Sequence, residues 1–417
     1  MSLIEITPKE FAEYAKTSPY KSFMQTPEIA EYREKNGWKS YFLALKEDGE
    51  IKAATMLVEK KVFLGKSIFI APGGPLLDLE NSQLTKRFFN HLKQFAKNHG
   101  GFSLQISPYY ELLERDREGH VVEDGFYRRK ALIALKDAKF RAVEHPSQPK
   151  YLFAMDLKGK SADTLFAELK RNTRNHIRKA EKMGVKIREL NKEELPILKQ
   201  ITESTSERRH FTDRPLSYYE AMYDLFHDKG EVKFMVAEVE DILLRGIRDN
   251  GSERSEEPRN DGRDEASRKS ISSTSANAGA FVQERSVASV SAPAPRTLRN
   301  DTSDCMTPLS AAMFMLYGDE IVYLFSGSDE KYMRDYNAQY LIQWRMIKYA
   351  ADQGFKRYNF YGIHGIPDEN HPDGIYDFKK GFTTDETGHV IELIGTYETP
   401  INSIVSKFYH LLLRLRH

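Results

Sequence analysis

The mainly apolar run Ser40-Tyr-Phe-Leu-Ala-Leu45 reads as a strand, and strands continue over Ile51–Phe63 and Ser67–Ala71. The period then changes. From Ser82 to Asn98 the apolar residues Leu84, Phe88, Phe89, Leu92 and Phe95 recur at helical spacing, and Phe102–Ile106 returns to a short strand. Asp48-Gly49, between the first two strands, is a hairpin signal, because both central residues of such a turn take positive φ. The same order recurs downstream. Val232–Ala237 reads as a strand, and Leu309–Leu316 and Ile321–Phe325 form a hairpin about Tyr317-Gly-Asp319. Ala338–Gln353 reads as a helix closed by Gly354, and Arg357–Tyr361 as a final strand. Meander, helix, strand, twice over, predicts two related α+β domains. Expected boundaries are 1–150 for the first domain and 151–242 with 305–400 for the second.

A basic helix lies at the junction of the two copies. Helical spacing places Arg171, Arg174, Arg178 and Lys182 on one face, with Phe166, Leu169, Ile177 and Ala180 on another. Gly184 stops it, and Val185-Lys-Ile187 begins to alternate. Such a stripe suits a polyanion, an RNA backbone or a phosphate-rich ligand; on charge pattern alone a solvated helix face fits equally. Residues 401–417 predict an amphipathic C-terminal helix, with Ile404, Val405, Phe408, Leu411, Leu412 and Leu415 on one face beside Lys407, Arg414 and Arg416. It either docks on the domain or meets a membrane surface.

The stretch Leu243–Asp304 is foreign to both copies. It is rich in Arg, Ser, Asn, Asp and Ala, has Phe281 as its only aromatic, and by composition reads as disordered. It interrupts the second domain between a strand and its hairpin, where a long structureless loop is unusual.

Composition narrows the function. Hydrophobic residues make up 40% of the 417, aromatics 12%, enough for two cores. The net charge of +1 excludes a broadly nucleic-acid-coating protein but not a local patch. A single cysteine, Cys305, leaves no disulfide framework or cysteine metal cluster and fits a reducing compartment. With no basic region and apolar run at the start, and no long uncharged apolar stretch, a cytoplasmic protein is expected. Walker A, GxGxxG, HExxH and GxSxG motifs are missing, and the histidines lack ligand spacing; His364, His371 and His389 read as solvated loop residues. No metal or other cofactor is expected.

Three polar constellations remain. In Glu207-Arg-Arg-His-Phe-Thr-Asp-Arg-Pro-Leu-Ser-Tyr-Tyr219, Arg214 precedes a proline and Tyr218 follows one turn later, an arrangement suited to phosphate or carboxylate. Tyr361-Gly-Ile-His-Gly-Ile-Pro367 leads into Gly374-Ile-Tyr-Asp-Phe-Lys-Lys-Gly-Phe382, where Lys379 sits among aromatic residues and could stabilise an oxyanion. In Gln25-Thr-Pro-Glu28 through Trp38, Arg33 projects from a short helix.

Taken together these blocks resemble the Fem-type aminoacyltransferases, which build peptidoglycan interpeptide bridges from aminoacyl-tRNA. The matching pieces are Gln25-Thr-Pro-Glu28 with Asn36-Gly-Trp38, Ala71-Pro-Gly-Gly-Pro75, Lys182-Met-Gly-Val185 and Asp213-Arg-Pro-Leu-Ser-Tyr218. They continue with Ala311-Ala-Met-Phe314, Tyr323-Leu-Phe-Ser-Gly-Ser328, Phe360-Tyr-Gly-Ile-His-Gly365 and Gly374–Phe382, in order over nearly the whole chain. The resemblance implies two tandem GNAT-like domains and a cleft for a muropeptide precursor, lipid II or the UDP-linked form. It implies precursor contacts at Arg33, Arg214 and Tyr218, with Tyr323 or Phe325 near the same cleft, and a reaction centre at Phe378 and Lys379. Aminoacyl-tRNA would be the second substrate, and the inner face of the membrane a peripheral contact.

Two departures matter. Relatives often carry an acidic residue before the proline at Ser107-Pro108, so a carboxylate base is not expected there. Many also carry a helical coiled-coil arm where Leu243–Asp304 stands; either the arm has been replaced, or two compensating frameshifts have rewritten it. The second reading predicts Leu/Glu/Lys heptads in another frame of the nucleotide sequence. Rival functions are an acyl-CoA-dependent N-acyltransferase of the same fold and a non-enzymatic RNA- or membrane-binding protein. The first would need a pyrophosphate-binding glycine turn, but Ala71-Pro-Gly-Gly-Pro75 has two prolines that remove donors.

Overall fold

The computed structural model describes residues 2–63, 65–144, 146, 148–209, 212–241, 306–368 and 373–414. Leu243–Asp304, Cys305 and His371 lie outside them, so the expectations for that stretch are not addressed by the structure.

The chain begins with β1 (Ser2–Glu5), α1 (Pro8–Thr17) and α2 (Pro27–Lys35). The first meander is β2 (Lys39–Glu47), β3 (Glu50–Phe63) and β4 (Lys66–Gly73), followed by α3 (Ser82–Asn98), β5 (Gly101–Pro108) and β6 (Glu111–Arg115). Then come α4 (Arg129–Asp137), β7 (Arg141–Ala142), β8 (Tyr151–Asp156), α5 (Ala162–Glu168), α6 (Arg171–Lys182) and β9 (Lys186–Glu189). α7 (Leu195–Arg209) and α8 (Leu216–Phe226) lead to the second meander: β10 (Val232–Glu240), β11 (Met306–Tyr317) and β12 (Glu320–Ser328). The chain closes with α9 (Glu330–Tyr336), α10 (Ala338–Asp352), β13 (Arg357–Ile363), α11 (Gly374–Lys380), β14 (Gly388–Leu393), β15 (Tyr397–Pro400) and α12 (Ser403–Arg414).

The repeat read from periodicity is present in space. β2, β3 and β4 pair antiparallel, α3 crosses over, and β5 returns parallel to β4. β10, β11 and β12 do the same, with α10 as the crossover and β13 parallel to β12. The Asp48-Gly49 turn has φ of 51° and 82°, as a two-residue hairpin requires. Gly184, at φ 76°, ends the basic helix.

Two sheets result, ordered β1-β2-β3-β4-β5-β15-β7 and β6-β14-β8-β13-β12-β11-β10-β9. They do not divide at one point of the chain, because β6 joins the second sheet and β15 returns to the first. One core lies between the first sheet and α3 with α4 (Leu43, Leu57, Phe88, Phe89, Leu92, Leu135), and another under α6 and α10 (Ile177, Phe314, Leu341, Ile347, Phe360). The third is shared: Phe42, Met56 and Val58 of the first meander join Tyr218, Phe234, Val236 and Met313 of the second. Among the described residues no helix is long and apolar enough to cross a membrane.

Candidate functional site

α2 is fixed at its start by the Thr26 side chain, which accepts from the Ile29 amide, and by Pro27 in the first turn. The preceding Gln25 anchors the loop to the first sheet: its amide donates to the Pro72 carbonyl at 2.7 Å and accepts from the Met56 amide at 2.7 Å. With its start pinned, α2 buries Ile29, Ala30 and Arg33, and the Arg33 guanidinium stands 5.2 Å from the Trp38 ring.

Arg214 approaches from the second half. Its neighbour Asp213 accepts from Lys199 (2.8 Å), Thr202 (2.9 Å) and the Tyr219 hydroxyl (3.0 Å), which fixes the chain just before α8. The Arg214 guanidinium lies 5.5 Å from the Tyr218 ring and 5.9 Å from Phe325. Tyr218 meets Tyr32 of α2 edge-on at 5.6 Å and Phe325 at 5.7 Å. Burial raises the Tyr218 and Tyr361 hydroxyls above the ordinary phenol range, with the Arg214 charge opposing in both cases. Arg33 acts on Tyr218 in the same sense. Arg33, Arg214 and Tyr218, read from separate parts of the sequence, therefore share one cationic aromatic cluster.

Lys379 enters from the other side of Tyr361. Strands β12 and β13 pair only over Glu320–Val322 with Arg357–Asn359, whereas β4 and β5 pair from Ser67 to Gly73. Beyond Asn359 the second sheet parts, and β13 slips register against β8. There Tyr361 takes φ 65°, an uncommon conformation for a bulky residue. Lys379, on α11 and 5% exposed, donates from Nζ to the Tyr361 carbonyl (3.2 Å) and the Gly362 carbonyl (2.5 Å). Burial pushes its ammonium down to about 7, against the pull of Asp373. Tyr361 thus joins the arginine cluster, near its side chain, to the lysine at its carbonyl. Phe378 is half-buried against Tyr340 (4.9 Å) and Phe382 (5.3 Å).

Tyr323 lies elsewhere than expected. Leu324 is an extra residue in the ladder, since Met313 pairs with Phe325 and Phe314 with Tyr323. The bulge puts Phe325 on the face of Tyr218, while Tyr323 stacks on Phe314 (5.4 Å) on the other face and donates to Ser326. Phe325 fits the cluster and Tyr323 does not.

The basic stripe is divided too. The chain leaves helical conformation at Leu169, so Phe166 belongs to α5 rather than to the face of Ile177 and Ala180. Arg174 turns back and donates to the Ala167 carbonyl at 2.6 Å and to Leu169, closing α5. Arg178 covers the Phe166 ring at 5.4 Å but stays exposed, as do Arg171 and Lys182. The helix starts beside the lysine: the Lys170 amide donates to Gly381 (3.2 Å), and His176 stacks on Tyr340 at 4.6 Å, next to Phe378.

A second polar group was not legible in the sequence. A cavity of about 850 Å³, lined by residues of both halves, contains Tyr109, Glu320, Asn359 and Tyr361. Tyr109 donates to both Glu320 oxygens (3.0 and 3.1 Å), and Asn359 to Glu320 at 2.7 Å. Burial raises the Glu320 carboxyl, and Arg357 opposes it. Ser107 lines the same cavity. His364 is exposed and pairs with Asp373 at 3.2 Å; His389, expected in a loop, is instead on β14, 3.7 Å from Asp156. Among the described residues no group of three or more His, Cys, Asp or Glu side chains could hold a metal ion.

A family model described as FemAB family matches residues 6–414. Aminoacyltransferase FemA of Staphylococcus aureus strain bovine RF122 / ET3-1 is 29% identical over 433 residues, covering 100% of this chain and 99% of the relative. FemA of strain N315 matches at the same identity and coverage. A crystal structure of FemX has a TM-score of 0.71 at 20% identity, over 98% of this chain and 99% of its own, and at that identity the likeness shows the fold. One family model matches from Ile6 to Arg414, nearly the whole chain, and this chain therefore belongs to the FemAB family.

Proposed function

We propose that the chain transfers an aminoacyl group from aminoacyl-tRNA to the stem-peptide amine of a peptidoglycan precursor, building the interpeptide bridge. The observation that carries this reading is the family match over residues 6–414, with FemA aminoacyltransferases aligned along the whole chain. The residue roles rest on Tyr361, whose surroundings bring a cationic aromatic cluster and a buried lysine within one residue of each other.

The chemistry needs little machinery. The amine nitrogen attacks the ester carbonyl, the tetrahedral intermediate collapses, the carbon–oxygen ester bond breaks, and the ribose hydroxyl leaves with a proton. The ester is already activated, so positioning and oxyanion stabilisation are what the protein must supply. Lys379, held by two carbonyls, has a third N–H for the oxyanion when protonated. Phe378, beside Lys379 on α11 and packed on Tyr340 and Phe382, fixes the helix that carries the lysine. Arg33 and Arg214 hold precursor phosphate beside Tyr218, with Phe325 in the place considered for Tyr323. Arg171, Arg178 and Lys182 face tRNA phosphates, while Arg174 supports their helix.

The test is to incubate purified protein with individual aminoacyl-tRNAs and either lipid-linked or UDP-linked precursor, then weigh the product. A mass gain of one aminoacyl residue is expected. A product formed only from acyl-CoA, or none with any tRNA, would reject the proposal.

A further inference from the structure

We infer that the edge of the first sheet formed by α4, β7 and α12 is a docking surface for an anionic lipid bilayer. α4 buries Ala131, Ala134 and Leu135 and turns Arg129, Lys130, Ile133 and Lys136 outward. Ile133 is 57% exposed, and those three cations lie within a turn of it. Just before the helix, Phe126 and Tyr127 are also exposed, with the Arg128 guanidinium 4.8 Å from the Phe126 ring and Arg129 5.3 Å from Tyr127. Residues 126–142 carry six cations and one acid, Asp137. Among the described residues, Arg129, Lys130, Lys136, Lys139 and Arg141 form no ion pair, so their charge is not offset locally.

The C-terminal helix lies on the same edge. β7 ends the sheet, its Arg141 stands opposite Glu398 of β15, and Glu398 is 3.0 Å from His410 of α12. α12 turns Ser406 and Tyr409 inward, Tyr409 against Phe102 at 5.1 Å. Its outer stripe is Ile404, Phe408 and Leu411, at 81%, 51% and 52% exposure, with Lys407 exposed beside it.

Charge and shape select the occupant. A protein partner would have to supply acids matched to scattered cations and a groove for isolated apolar side chains. A bilayer needs only apolar side chains that reach out beside cations: α4 presents Ile133 among three of them, and α12 adds an apolar stripe beside Lys407. If the acceptor is lipid-linked, which rests on the proposed transferase reading, this edge would hold the enzyme in the plane of its substrate.

Sedimentation of the full chain with phosphatidylcholine vesicles, with and without phosphatidylglycerol, tests the inference. Binding to the anionic vesicles that weakens with salt is expected. The variants Ile404→Ser/Phe408→Ser/Leu411→Ser and Lys130→Glu/Lys136→Glu should each bind about tenfold more weakly or worse. Both sets are exposed, so melting temperature and transfer to precursor presented in detergent rather than in vesicles should stay at wild-type values. Absence of vesicle binding, equal binding by the variants, or a dimer abolished by the same substitutions would overturn the inference. Vesicle binding without transfer would instead sink the transferase reading and leave this surface standing.

Discussion

Lys379 is buried, and its two carbonyl partners orient its nitrogen without neutralising the charge it carries when protonated. A lysine depressed to about 7 changes charge within the working range of an enzyme. If the charged form stabilises the oxyanion, the rate falls as pH rises through about 7, and Lys379→Arg, whose guanidinium does not titrate there, flattens that limb. Lys379→Ala should lower turnover by about 10²- to 10³-fold with precursor affinity kept. An alkaline limb that persists in the arginine variant would contradict the assignment. Stability gives an independent readout. Between about 7 and 10.5 the unfolded chain binds the proton and the folded chain does not, so the lysine's contribution rises with pH across that window and is lost as pH falls through it. Relative to Lys379→Met, the wild type should therefore gain stability on going from neutral to alkaline pH in urea melts. Tyr361 was part of a motif in the sequence, but nothing local marked it as the link between two sites. That role comes from its positive φ and from strands that part beyond Asn359.

Elements with a strong period were readable almost to the residue. α3 spans Ser82–Asn98 because five large apolar side chains recur on one face and Asn81 caps the first turn. β6, β14 and β15 were missed. They are short, and their partners lie hundreds of residues away, so no local pattern fixes them. The bulge at Leu324 lies within a local hairpin but leaves no mark in the apolar run Ile321–Phe325, and it moved Phe325 rather than Tyr323 to the arginine cluster. Helix packing makes a prediction at this scale. A Cβ on Gly327 of β12 would come within 2.5 Å of the Ile201 carbonyl oxygen and 2.8 Å of Thr205 Oγ1, both on α7. Gly327→Ala should destabilise by about 1–3 kcal/mol. Chemical denaturation reads this directly, and an unchanged midpoint would show that α7 yields without strain.

At the scale of the molecule, duplication was legible as a repeated order of periods, and the exchange of β6 and β15 between sheets was not. That exchange and the shared core tie the halves together, so Arg33 from α2 and Arg214 before α8 both act on Tyr218, and Lys379 from α11 holds the carbonyl of nearby Tyr361. The resemblance nominated those residues; the structure supplies their distances. Tyr109 and Glu320 add a contact between the halves that periodicity could not show. The central claim is aminoacyl transfer by this assembly. Its most direct test is the mass of lipid-linked and of UDP-linked precursor after incubation with charged tRNA, with and without prior ribonuclease treatment. The account predicts one added aminoacyl residue that ribonuclease abolishes and that Lys379→Ala nearly abolishes. A product unaffected by ribonuclease, or formed at the wild-type rate by Lys379→Ala, would contradict it.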